Sequence, residues 1–124
     1  MVDLKAKPYY LSDEDIKWVE DTIAGMTDEE KVGQLFVNMV NDFTPEGIKK
    51  VVDTYHPGAL RYHNKSAEEL WDMVNTFQSY SRIPLLVASN CEAGGNGGVG
   101  GGTGVSCGAA TAASRNPDVA YKAA

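Results

Sequence analysis

Apolar residues recur at helical spacing in four segments of the chain, and each segment opens with a residue suited to cap a helix. These caps are Ser12, Thr27, Thr44 and Ser66. Three of them precede a carboxylate that can complete a capping box, and Thr44 precedes a proline, which favours the first helical position. Four amphipathic helices are predicted, and we interpret their stripes as core faces. The stripes are Ile16, Val19 and Ile23; Val32 and Leu35; Ile48, Val51, Val52 and Tyr55; and Leu70, Met73, Val74 and Phe77.

Short apolar runs separate these helices and predict strands. The runs lie at residues 35–40, 59–62 and 83–88, about 25 residues apart. Alternation of strands and helices at this spacing is typical of βαβ units with right-handed crossovers and a parallel sheet. Two arrangements remain open. One is a barrel segment with the strands in sequential order, and the other is a small doubly wound sheet whose order reverses around the first strand.

The composition narrows the class of protein. A chain of 124 residues that is 43% hydrophobic and 23% charged is typical of an ordinary soluble domain. No apolar run approaches the roughly 18 residues of a membrane helix, so we expect no membrane partner. A closed eight-stranded (β/α) barrel needs roughly 200 residues or more and does not fit in this length.

The cysteines and the first residues bear on cofactors and location. Cys91 and Cys107 stand 16 positions apart in a chain with two histidines, which is the spacing of neither a zinc site nor a disulfide framework. We predict reduced thiols, no metal and no cofactor. Residues 1–10 lack the apolar core of a signal peptide. These features predict a cytoplasmic protein, or one from which a leader was removed.

The net charge of −6 comes from one end of the chain. Residues 1–30 hold nine carboxylates against three lysines, and residues 31–124 are neutral in sum. We interpret the acidity as a solvated face. No basic stripe is present, so we expect no nucleic-acid partner.

A glycine-rich segment follows the third predicted strand. Eight of the eleven residues from 94 to 104 are glycine. The carboxyl end of a parallel strand is where ligands bind in α/β proteins, and glycine lets a backbone approach a ligand closely. Residues 95–100 also match the dinucleotide fingerprint GxGxxG, although more glycines stand where the fingerprint's helix must open. Two interpretations stay open: a ligand-binding loop and a plain surface loop.

A last helix is predicted at the end of the sequence. Asn116 is suited to cap it and Pro117 to occupy its first position. The helix would have barely two turns before the sequence stops at Ala124, so we expect a chain that is truncated within an element.

Five motifs in this order resemble the start of family 3 glycoside hydrolases. They are MTDEEKVGQLF at 26–36, HPGAL at 56–60, IPLLVA at 83–88, ASNCEAGGNG at 88–97 and NPDVAY at 116–121. The family shows the similar patterns MT-x-EEKVGQLF, PGG, IPLL-x-A, N-x-EAGGNG and DP-x-LAY. The resemblance covers residues 26–124 almost continuously.

The resemblance implies a fold and an activity. We expect a partial TIM-type (β/α) barrel with N-terminal helices and about three parallel βα units. Residues 1–26 would form an N-terminal helical segment, and residues 27–124 the first part of the barrel domain. The family hydrolyses β-glucosides or β-N-acetylglucosaminides with retention, which needs two carboxyl groups about 5–5.5 Å apart. In the family both lie beyond the part matched here, so we expect no catalytic residue in this chain and no turnover by it.

The resemblance also indicates where a carbohydrate would bind. Asn90 stands where many members carry a substrate-binding aspartate, and an amide still offers a donor and an acceptor to hydroxyls. Asn90, Glu92 and Asn96 are the predicted substrate-binding residues. Arg61 and His63, at the end of the second predicted strand, are weaker candidates. The alternative function is a non-catalytic module that binds sugar or nucleotide through the glycine-rich loop.

Two further expectations concern the surface. Trp18 and Trp71 could stack on a sugar ring, but both fall on predicted helices, and we interpret them as packing residues. A piece of barrel leaves its two outer strands open, and the apolar third strand would then be a template for pairing with another copy. We therefore expect a homo-oligomer that associates through exposed strand edges.

Overall fold

The computed structural model describes residues 2–123, which form six α-helices and three strands. The helices are α1 (Asp13–Ala24), α2 (Asp28–Gly33), α3 (Pro45–Tyr55), α4 (Ala67–Tyr80), α5 (Gly108–Ala113) and α6 (Pro117–Ala123), and the strands are β1 (Val37–Val40), β2 (Ala59–Tyr62) and β3 (Leu86–Ala88). A single 3₁₀ turn, Gly95–Gly97, lies within the glycine-rich segment.

The predicted helix starts are confirmed in detail. Ser12, Thr27 and Ser66 each accept a hydrogen bond from the backbone N–H three residues on, and the carboxylate of that residue accepts one in return. Thr44 caps α3 and Pro45 occupies the first helical position. These reciprocal bonds satisfy backbone donors that a helix start leaves without intrahelical partners.

The three strands form one parallel sheet in the order β1-β2-β3. Met39 of β1, Arg61 of β2 and Ala88 of β3 form one row across the sheet. Sequential order with a helix in each crossover is the arrangement of a barrel segment. The predicted partial barrel is confirmed, and the doubly wound alternative is wrong because the order does not reverse around β1.

The core lies between the sheet and the two crossover helices. Ile48 of α3, Leu60 of β2 and Phe77 of α4 have no exposed surface. The other buried side chains are Val40, Val52, Leu70, Met73 and Leu85. Complete burial of a large apolar side chain contributes about 1.5–3 kcal/mol, so this cluster is the main source of stability.

Strand β3 is shorter than the apolar run that predicted it. Gln78 of α4 takes both backbone groups of Leu85: its Nε2 donates to the carbonyl oxygen at 2.9 Å, and its Oε1 accepts from the N–H at 3.0 Å. Pro84 has no N–H to give. The strand therefore begins at Leu86, whose N–H donates to the carbonyl of Gly58 at 3.0 Å.

The apolar stripes of α1 and α2 are not core faces in this chain. Helix α1 buries none of its residues, and Ile23 is 52% exposed. Leu35, just beyond α2, is 84% exposed. The packing role predicted for Trp18 and Trp71 is also wrong here, because both side chains are more than half exposed. Amphipathic spacing identifies the helix but does not say which element covers its apolar side.

Two glycines bring the amino-terminal ends of β1 and β2 together. A Cβ at Gly33 would collide with the carbonyl oxygen of Tyr55, and one at Gly58 with that of Gln34. The N–H of Gly58 donates to the carbonyl of Gly33 at 3.2 Å. This contact lies just before Val37 and Ala59, the first aligned pair of the two strands. The predicted division into residues 1–26 and 27–124 stays a prediction.

Candidate functional site at the strand ends

A shallow cavity of about 270 Å³ lies at the carboxyl ends of β2 and β3. We call it the strand-end cavity. It is lined by Arg61, Tyr62, His63, Asn64, Asn90, Glu92, Ala93, Asn96 and Gly97. All three predicted substrate-binding residues and both weaker candidates are in this set. The cavity occupies the end of the parallel sheet at which α/β proteins bind ligands.

Arg61 and Asn90 form the side-chain link between the two strands. The Nε of Arg61 donates to Oδ1 of Asn90 at 3.0 Å, across 29 positions of sequence. The register explains the contact, because Arg61 is aligned with Ala88 and Asn90 follows two residues later. Arg61 is half-buried and Asn90 is exposed, so the pair stands at the mouth of the cavity.

Asn96 is held by its backbone and its side chain at once. Its carbonyl oxygen accepts from Nδ2 of Asn64 at 2.6 Å, and its Oδ1 accepts from the N–H of Gly101 at 3.1 Å. The side-chain oxygen is therefore engaged in loop structure, and the amide nitrogen is the group that Asn96 can offer to a ligand. Asn64, which is not among the predicted site residues, ties the loop after β2 to the glycine-rich segment.

The glycine-rich segment is a structured loop that packs on the strand ends. The N–H of Gly100 donates to the carbonyl of Lys65 at 2.7 Å, and that of Val105 to the carbonyl of Ala93 at 2.7 Å. Gly94 has φ +91°, a conformation that glycine adopts without steric penalty. These bonds make the loop one wall of the cavity.

The same geometry does not fit the dinucleotide fingerprint. The fingerprint requires an α-helix that opens at its third glycine, so that the helix N-terminus faces a pyrophosphate. Here a 3₁₀ turn spans Gly95–Gly97 and the next α-helix begins at Gly108, well beyond Gly100. The loop approaches protein backbone instead.

The electrostatic character of the cavity comes from one cation and one carboxylate. Arg61 supplies the positive charge, and Glu92 is the only carboxylate among the described residues that line the cavity. Asn90 adds hydrogen-bonding capacity without charge. Such a mixed set suits a neutral polyol, which offers hydroxyls that both donate and accept.

Helix α4 begins shortly after the residues of β2 and its loop that line the cavity. The side chain and the N–H of Ser66 donate to the carboxylate of Glu69, at 2.8 and 3.1 Å. These two bonds hold the pKa of Glu69 below its usual range. The cap fixes the start of α4 directly after Asn64 and Lys65, the two residues that hold the glycine-rich loop.

Asn64 and Gly97 line the strand-end cavity but are not among the residues predicted from the sequence. A signal for Asn64 existed, since an amide residue two positions beyond a parallel strand lies on the ligand-binding rim. No sequence pattern distinguishes Gly97 from the other glycines of the run, because its role depends on the three-dimensional contact with Asn90.

Comparison with known proteins gives three matches. No family model matches the chain. A β-N-acetylglucosaminidase/β-glucosidase from Cellulomonas fimi is 36% identical over 94 residues, which is 76% of this chain and 17% of that protein. The structure of a β-glucoside phosphorylase, BglX, bound to 2FGlc superposes with a TM-score of 0.76 at 37% identity, covering 93% of this chain and 21% of that one. A second BglX structure gives a TM-score of 0.64 at 36% identity, covering 83% and 17%.

The chain thus spans about a fifth or less of the length of the relatives that it matches. Both kinds of comparison, by sequence and by structure, lead to enzymes that act on β-glucosides. The resemblance to family 3 glycoside hydrolases is confirmed, and the chain corresponds to part of the barrel domain of that family.

Proposed function

We propose that the strand-end cavity binds the sugar ring of a β-glucoside or β-N-acetylglucosaminide, and that the protein takes part in cleaving its glycosidic bond. The observation that carries the proposal is the convergence of Asn90, Glu92 and Asn96 on one cavity at the strand ends. Matches to enzymes named for β-glucosides and β-N-acetylglucosaminides support the substrate class.

In this proposal each residue has a separate role toward the sugar. The amide of Asn90 donates to a ring hydroxyl, and the carboxylate of Glu92 accepts from another. The amide nitrogen of Asn96 donates at the loop side of the cavity. These contacts orient the ring, and orientation is the contribution to catalysis that this part of the chain can make.

In this proposal the groups that break the glycosidic bond do not belong to this chain. Retaining cleavage needs a nucleophile and an acid/base about 5–5.5 Å apart. Glu92 has no carboxylate partner in the cavity among residues 2–123. We infer that both groups come from segments that this chain does not contain, and that the chain by itself is inactive.

A titration followed by NMR tests the binding proposal. The ¹⁵N-labelled chain is titrated with methyl β-glucoside, with methyl β-N-acetylglucosaminide, and with ATP and NAD as competing ligand classes. We expect the sugars to shift the signals of Asn90, Glu92 and Asn96 and the nucleotides to shift none of them. Nucleotide binding without sugar binding would instead favour the alternative function, a nucleotide-binding module.

We also propose self-association through the strand edges. Leu86 of β3 is 75% exposed and Val37 of β1 is 57% exposed, and within the described chain each of these strands pairs with β2 alone. An open apolar edge is a template for pairing with a second copy.

Location in the cytoplasm stays a prediction. Cys91 and Cys107 are both free and exposed in the structure. None of the helices within residues 2–123 combines the length and the apolar character needed to cross a membrane. Fractionation of cells that express the protein, with thiol labelling of both cysteines, tests the location.

A further inference from the structure

The bond between Arg61 and Asn90 fixes which way the asparagine amide faces. The Nε–H of an arginine can only donate, so the atom of Asn90 that it contacts at 3.0 Å must be the amide oxygen. The two residues belong to adjacent strand ends, and the contact spans the sheet rather than a local turn. The orientation of the amide therefore follows from chemistry and register together.

This orientation leaves the nitrogen of Asn90 as the group offered to the cavity. Among residues 2–123, Nδ2 of Asn90 has no hydrogen-bond partner, and Asn90 lines the strand-end cavity. The same holds for the two terminal nitrogens of Arg61. At this point the groups left without a partner are N–H donors, and the amide oxygen already accepts from Arg61.

We infer that Arg61 is a positioning residue that locks Asn90 as a hydrogen-bond donor, so that this subsite selects a ligand oxygen for its ability to accept. The inference rests on the proposed function and deepens it. Arg61 need not touch the sugar to act in this way, since its effect passes through the amide of Asn90.

The locked orientation of Asn90 determines whether the ligand oxygen must accept or donate a hydrogen bond, and a carboxylate at this position would reverse that requirement. An ionised aspartate at position 90 could only accept, so the ligand hydroxyl would have to donate. The NH₂ group of a locked asparagine can only donate, so the ligand atom that it contacts must accept, and a substituent that accepts but cannot donate is tolerated. Replacing the hydroxyl by fluorine or a methoxy group should therefore preserve binding, whereas replacing it by hydrogen should weaken binding.

A measurement without ligand tests the lock itself. In the ¹⁵N-labelled chain, we expect the Nε–H of Arg61 to exchange slowly with water and the side-chain NH₂ signals of Asn90 to move on Arg61→Ala. Lys50→Ala removes an exposed cation from α3 and serves as the matched control, with no shift at Asn90. Asn90 signals that are identical in the Arg61→Ala variant and the parent would overturn the lock.

A ligand panel tests the specificity. The chain is titrated with methyl β-glucoside and with its monodeoxy, monofluoro and mono-O-methyl analogues at each free hydroxyl. At one position we expect the deoxy analogue to bind about fivefold more weakly, as a lost neutral hydrogen bond predicts, while the fluoro or O-methyl analogue stays within about twofold of the parent glucoside. In Asn90→Asp the fluoro and O-methyl analogues should bind as weakly as the deoxy one.

The outcomes of these experiments distinguish a failure of the donor lock from a failure of the proposed sugar-binding function. If the parent glucoside binds and every acceptor-only analogue is as weak as its deoxy counterpart, the donor lock is wrong and the sugar site stands. If the parent glucoside does not bind while the Asn90 signals respond to Arg61→Ala, the proposed function is wrong and the specificity inferred from it falls as well. Circular dichroism of each variant establishes that the fold is retained.

Discussion

Gly97 lies against the backbone of Asn90 so closely that a Cβ at position 97 would collide with the carbonyl oxygen of Asn90. The glycine-rich loop and the end of β3 are thus packed on each other, and glycine is required at this point for steric reasons. The contact places the loop as a wall of the strand-end cavity and gives one glycine of the run a specific role.

Replacement of Gly97 by alanine should therefore push the loop off the strand end. Overpacking of this kind costs about 1–3 kcal/mol, and we expect a loss of unfolding free energy in that range. Urea denaturation measures the loss. Gly104→Ala is the matched control, since its Cβ would meet nothing within 4 Å. Equal stability of the two variants would show that the contact between Gly97 and Asn90 is not formed.

Truncation of the core should have a larger effect. Phe77 has no exposed surface, and Phe77→Ala should lower the unfolding free energy by about 3–5 kcal/mol, enough to unfold a domain of marginal stability. Tyr121→Ala removes a side chain that is 86% exposed and should change the stability little. Thermal melts followed by circular dichroism make the comparison. A Phe77 variant as stable as the Tyr121 variant would contradict the packing of α4 on the sheet.

The cap of α4 predicts how stability depends on pH. Hydrogen bonds from Ser66 hold the pKa of Glu69 below its usual range, so its contribution is present above the unfolded-state pKa and is lost as the pH falls through the folded-state value. We expect stability to decrease at acid pH. Glu69→Gln keeps a capping partner but cannot titrate, so its stability should fall less on acidification. Glu68→Gln is the control, and an identical acid response in both variants would refute the assignment to the cap.

Much of the fold could be predicted from local patterns, and the exceptions share a cause. Capping residues act within four positions of the helix that they start, so Ser66 and Thr44 identified α4 and α3 from sequence alone. The start of β3 could not be placed, because it depends on the side chain of Gln78, which binds the backbone of Leu85 seven residues later. The exposure of the apolar stripe of α1 could not be predicted for a similar reason, since the sequence of a helix does not show which other element packs against it.

The site was predictable in position but not in arrangement. The resemblance to family 3 glycoside hydrolases indicated Asn90, with Glu92 beside it, and both follow a predicted parallel strand, whose end is the ligand-binding rim. Which atom of Asn90 is free depends on Arg61, 29 residues away, and only the register of β2 on β3 reveals that contact. Long-range pairing of this kind leaves no local signal.

The open edge of β3 predicts how the chain behaves in solution. We expect multi-angle light scattering to give a mass above that of one chain, 13.3 kDa. Leu86→Lys should shift the mass toward that of the monomer, because a charge on an edge strand opposes pairing. Val119→Lys, a similar change on α6, should not. A parent chain that is monomeric at all concentrations would contradict the edge-pairing proposal.

Turnover tests the assignment of the bond-breaking groups. The chain should not cleave aryl β-glucosides or aryl β-N-acetylglucosaminides, because a retaining mechanism needs two positioned carboxyl groups. Assays are run with and without inorganic phosphate, since the structural relatives are named as phosphorylases. Release of the aryl group at rates typical of an intact enzyme would show that this chain contains a complete catalytic pair.

The most direct test of the account is the affinity of methyl β-glucoside for the chain and for Asn90→Ala, measured by the same NMR titration. We expect the parent chain to bind and Asn90→Ala to bind about five- to tenfold more weakly, which corresponds to one hydrogen bond. Asn75→Ala, on the exposed face of α4, should bind as the parent chain does. Equal affinity of the parent chain and the Asn90 variant would contradict the claim that the strand-end cavity is a sugar site.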